Sequence, residues 1–145
     1  MEKFKKNSHE PNFRVAAQRH WYDAEHLLNN KRWPNADQLY GLSAECALKA
    51  IMLSLGMPMQ NGKPTNKKHS VHIDVLWDEF TTFANGKSQA HYAEALLGEN
   101  PFQHWRINQR YGDDSLIDEK TATEHKEAAQ LAMNCLTTAE LEGVL

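Results

Sequence analysis

Glu45 and Lys49 stand one helical turn apart inside Ala44-Glu-Cys-Ala-Leu-Lys-Ala50, an otherwise apolar run. With the acid first, opposite charges at i and i+4 form the favourable orientation of a helical ion pair. The same groups could transfer a proton or hold a ligand phosphate. The helical setting favours a structural pair, since Lys buries its methylenes while its amine stays near water. A buried carboxylate without partners is costly, so Glu45 needs Lys49, a backbone amide, or an aromatic donor such as Trp77 or Trp105.

A second group of residues lies in His104-Trp-Arg-Ile-Asn-Gln-Arg-Tyr111. Guanidinium groups bind phosphate bidentately and aromatic faces stack on any base. Arg106, Arg110, Tyr111 and Trp105 are therefore the candidate ligand-binding residues. In the competing reading, Trp105, Ile107 and Tyr111 plug the open end of a bundle and Arg110 pairs with Asp113 or Asp114. Lys63, Lys67 and Lys68 either extend a binding surface or are simply solvated. His69 and His72 have a spacing that puts two ligands on one helix face, but no Cys or acid at suitable spacing completes a metal set. The expectation is a packed or capping His72, an exposed His69 and no metal. There is no Gly-rich phosphate loop, nucleophile elbow or paired-cysteine motif. A nucleotide is the one cofactor-like ligand left open.

The elements that position these residues are helical throughout. The 145 residues suit one domain, divided into a flexible lead-in at residues 1–12 and a bundle at 13–145. Apolar spacing at Phe13, Ala17, His20 or Trp21, Ala24 and Leu28 gives a first helix, capped by Ser8 or Asn12. Pro34 and Asp37 suit the first turn of the next, where a carboxylate meets the positive dipole end. That helix runs to about Leu55 and stops at Gly56. Leu39, Leu42, Cys46 and Leu53 lie on one side, and Tyr40, Ala44, Leu48, Ile51 and Leu55 on another, so it sits centrally.

Residues 56–69 read as a mobile basic loop, Ser70 as the cap of a third helix, and residues 88–97 as a shorter fourth. An irregular connection follows. Ser115 and Asp118 have capping-box spacing for the last helix, which runs to about Glu142.

No apolar run approaches the roughly 18 to 20 residues of a membrane span, and the N-terminus lacks a signal-peptide core. A cytoplasmic protein with no membrane contact is expected, with Cys46 and Cys135 as buried, reduced core residues. Residues 1–70 hold 11 Lys and Arg against 6 Asp and Glu, whereas residues 71–145 hold 5 against 13. Antiparallel helices would interleave these charges; contact between chains could use them head to tail.

Asp23-Ala-Glu-His-Leu-Leu28, Ala44-Glu-Cys-Ala-Leu-Lys-Ala50, residues 69–76 and Arg110-Tyr111 occur in the order found in HEPN (higher eukaryotes and prokaryotes nucleotide-binding) domains, which the chain resembles from about Phe13 onward. The resemblance implies an all-α, antiparallel up-and-down bundle of four to five helices that forms a homodimer. It also implies association with nucleotides, RNA or a minimal nucleotidyltransferase partner, sometimes within toxin–antitoxin systems. The family's ribonucleases carry Arg, four to six residues, then His near the start of the last helix. No His follows Arg110 at those spacings. Arg14 to His20 and Arg19 to His26 match the spacing on the first helix, where they count as chance. The first functional reading is therefore a nucleotide- or RNA-associated binding or accessory module, with whether it is an enzyme left open. The second is a metal-independent endoribonuclease using Arg106, Arg110 and a displaced His104 or His125.

Overall fold

The structure, a computed structural model, describes residues 10–145. Among them are five α-helices: α1 (Phe13–Asn29), α2 (Trp33–Ser54), α3 (Ile73–Gly86), α4 (Ala90–Glu94) and α5 (Glu119–Leu141). A two-stranded ribbon, β1 (Met59–Gln60) and β2 (Lys63–Pro64), interrupts the expected loop. Short 3₁₀ turns at Ile107–Tyr111 and Asp114–Leu116 punctuate the connection before α5. The fold is all-α apart from the ribbon.

Local chemistry sets the helix ends. The Asn12 side chain accepts the Val15 amide at 3.1 Å, capping α1; Ser8 lies outside the described residues. Lys31 turns left-handed at φ 61°, and α2 starts at Trp33 with Pro34 in its first turn, where proline loses no hydrogen bond. Because α2 begins four residues ahead of Asp37, that carboxylate is not at the dipole end but inside the protein. Gly56, at φ 97°, takes the left-handed position beyond α2. Three expected boundaries shift. His72, not Ser70, is the cap residue of α3. α4 spans five residues, after a left-handed Ser88. Asp118, not Ser115, caps α5, accepting the Thr121 amide at 2.8 Å, while the Ser115 amide and hydroxyl both donate to Asp113.

α2 lies at the centre, buried on most sides from Ala36 to Met52. Ala17 and Ala24 of α1, Ala44 and Ala47 of α2, and Ala129 and Ala132 of α5 are fully buried, so the three backbones approach closely. α1 runs antiparallel to α2, with Ser43 Oγ donating to Ala17 O at 2.8 Å and the Tyr40 hydroxyl to Glu25 Oε1 at 2.6 Å. It is antiparallel to α5 as well, through Arg14–Glu140 at 2.8 Å and Lys126–Glu25 at 3.1 Å.

α3 departs from simple alternation. His72 at its start bonds Glu45, while at its far end Lys87 Nζ comes within 3.9 Å of where a Cβ on Gly56 would stand. It therefore runs in the same sense as α2, because residues 57–72 fold back along α2 before α3 begins. No helix among the described residues is long and apolar enough to cross a membrane. Both cysteines are free; Cys135 is buried and Cys46 only partly so. Burial pushes the Cys46 thiol up to about 12 and the Cys135 thiol up to about 11.

Candidate functional site

Residues 102–118 close one end of the helices, and Trp105 anchors them. Its ring fills a notch at Gly41, where an added Cβ would stand 2.2 Å from the indole, and its N–H donates to the Asp37 carbonyl at 3.2 Å. Trp105 is fully buried, so it is the plug and not a stacking surface, which corrects its place among the ligand-binding candidates. With Trp105 fixed, Gln109 bridges inward. Its Oε1 accepts the Arg106 amide at 3.0 Å, and its Nε2 donates to Asp37 Oδ2 at 2.5 Å.

The other Asp37 oxygen, Oδ1, bonds His125 Nδ1 from α5. His125 is 7% exposed and its ring stacks on Phe102 with centroids 5.0 Å apart. A carboxylate only accepts, so in the neutral ring Nδ1 carries the proton and Nε2 keeps its lone pair. Nε2 has no hydrogen-bond partner among the described residues. His125 lines a cleft of about 370 Å³ together with His104, Gln109, Ile117, Thr121 and Glu124. A buried acid that fixes an imidazole with one nitrogen left for a cleft is an arrangement able to take up and return a proton.

The two arginines differ. Arg106 is committed, donating to the carbonyls of Gln103 and Trp105 at 2.6 and 2.8 Å and pairing with Asp74 at 3.4 Å. Arg110 lies over the Tyr111 ring at 4.9 Å and forms no ion pair with Asp113 or Asp114. Tyr111 is 77% exposed. The plug is thus Trp105 with a partly buried Ile107, while Arg110 and Tyr111 face solvent. Of the sequence candidates, the structure brings His104 and His125 to one cleft, whereas Arg110 and Tyr111 are not among the residues that line it.

Glu45 and Lys49 form their pair at 3.2 Å, with Glu45 7% exposed. The remaining carboxylate oxygen bonds His72 Nδ1 at 3.0 Å. That hydrogen bond raises the His72 pKa above its ordinary 6.5. Neither Trp77 nor Trp105 supplies Glu45 with a donor. His69 does not join His72. It packs edge-on against Phe83 at 5.2 Å and is half-buried instead of exposed. Among the described residues no group of three or more His, Cys, Asp or Glu has metal-holding geometry. Lys63, Lys67 and Lys68 are exposed and none lines the His125 cleft.

Sequence reasoning missed Asp37 and Gln109 as members of this site. One signal was present: an Asp inside a largely apolar helix and a His inside an alanine-rich one each demand a partner. No family model, no curated protein and no solved structure matches this chain.

Proposed function

We propose that the chain is a nucleotide- or RNA-associated binding module of the HEPN kind, which takes its ligand across the end of the helices closed by residues 102–118. The carrying observation is the exposed Arg110–Tyr111 stack on the same 3₁₀ turn as Gln109, a residue that lines the cleft holding His104 and His125. The guanidinium supplies phosphate contact and the ring a base platform. A homodimer and a nucleotidyltransferase-type partner belong to the same reading and rest on the resemblance of the chain to that family. Fluorescence anisotropy with a labelled single-stranded RNA, and thermal shift with ATP, test it. Binding that weakens in Arg110→Ala and Tyr111→Ala supports it, and no binding to either probe sinks it.

The Asp37–His125 pair favours one second reading, a metal-independent ribonuclease. His125 Nε2 would take the proton of a ribose 2′-hydroxyl as that oxygen attacks the adjacent phosphorus. His104 would give a proton to the departing 5′-oxygen, and Arg110 would stabilise the charge on the phosphoryl oxygens. α5 begins at Glu119, so the histidine near the start of the last helix is His125. RNA cleavage that persists in chelator and disappears in His125→Ala is the expected result; an intact RNA after incubation with clean wild-type protein rejects this reading.

A further inference from the structure

A second cleft, of about 300 Å³, lies on the other side of Pro101 and Glu124 and is walled by Trp77, Leu97, Glu99, Glu127 and Leu131. Its charged side chains are all acidic: Glu99, Glu124 and Glu127, each exposed. Leu97 is 77% exposed and Leu131 is also open to solvent, so an apolar strip runs between the carboxylates. Leu131 is shared with a smaller cleft between α4 and α5, lined by Tyr92, Ala95 and Thr138, so the groove continues along α5.

Trp77 forms part of the wall; it is 2% exposed and its indole nitrogen is itself closed to solvent. The acidic rim excludes a phosphate or nucleic-acid backbone here.

We propose that this groove binds a basic, apolar-anchored peptide segment of a partner protein. Leu97 and Leu131 receive an aliphatic side chain, and the carboxylates of Glu99, Glu124 and Glu127 receive Lys or Arg. The groove is separate from the His125 cleft except for Pro101 and Glu124, so the test uses Glu99 and Glu127.

A random dodecamer phage library is selected on immobilised full-length protein and, in parallel, on Glu99→Lys/Glu127→Lys protein of matched circular dichroism and melting temperature. Wild type is expected to enrich sequences pairing Lys or Arg with Leu, Ile or Met. A synthetic peptide so selected should bind roughly tenfold more weakly to the reversed-charge variant. No enrichment, enrichment without basic residues, or equal binding to both proteins overturns the proposal. So does sedimentation showing that wild type self-associates and that Glu99→Lys/Glu127→Lys is monomeric, because a second copy would then be the occupant.

Discussion

Asp37 engages both of its carboxylate oxygens, one with Gln109 and one with His125, in a place water does not reach. Asp37→Ala leaves the buried His125 and the half-buried Gln109 without their acceptor, and a loss of about 1–3 kcal/mol in urea unfolding is expected. Asp37→Asn is the more informative change. Its amide must donate to one neighbour, and donating to His125 would move the ring proton to Nε2, removing the lone pair from the cleft. Its expected signature is a smaller stability loss than Asp37→Ala, with any RNA cleavage abolished.

His72 behaves differently because it is half-exposed. Its pKa is raised in the folded protein by Glu45, so its contribution is full below the ordinary value of 6.5 and fades as pH rises through the folded value. His72→Ala should therefore lower the melting temperature at pH 5 and leave it nearly unchanged at pH 8.5; equal losses at both would refute the coupling. His20, whose pKa burial lowers, acts in the opposite sense, which is why the His72 variant has to be compared with wild type at each pH. The Glu45–Lys49 pair was legible from sequence because helix geometry ties i to i+4. Asp37 and His125 are 88 positions apart, and Glu45 and His72 are 27 apart; composition marks such residues as needing partners without saying which.

The turn-and-plug element of residues 102–118 depends on a glycine of α2. Gly41→Ala would drive a methyl into the Trp105 ring, and overpacking of that kind costs about 1–3 kcal/mol. Trp105 emission should shift with it, whereas an unshifted spectrum and unchanged melting would show that the notch has slack. At the start of α5, Asp118→Ala should lower the melting temperature more than Ser115→Ala does, since only Asp118 caps that helix. The Thr121 amide holds the Asp118 carboxyl below its ordinary value. Its stabilisation is present above that ordinary value and is lost as pH falls through the folded one, so the two variants should converge in strong acid.

Helix identity was readable from apolar period and terminal residues. Capping residues were harder, because Ser115 and Asp118 both have suitable chemistry, and spacing does not show that Ser115 belongs to a separate turn capped by Asp113. The direction of α3 was not readable either. Periodicity reports which face is apolar, and a connection as long as residues 57–72 allows the helix to run either way.

Across the whole molecule, the basic first half and acidic second half are joined by cross-helix pairs such as Arg14–Glu140 and Lys126–Glu25. Such exposed pairs add little to stability, but they keep the charges of α1 and α5 from segregating. Among the described residues Arg110 belongs to no such pair, so Arg110→Ala should reduce the salt dependence of RNA binding by about 0.7 in the log–log slope, the value for one phosphate contact on a single strand. An unchanged slope would remove Arg110 from the binding surface.

One carboxylate also fixes the timing of this protein's birth. α2 supplies Asp37, the connection supplies Gln109 and α5 supplies His125. Chains are made from the N-terminus at about 5–20 residues per second, so the α1–α2 pair can dock while the ribosome is still adding the rest. Until His125 has left the exit tunnel, the cleft lacks its imidazole, and the buried Asp37–His125 pair cannot form.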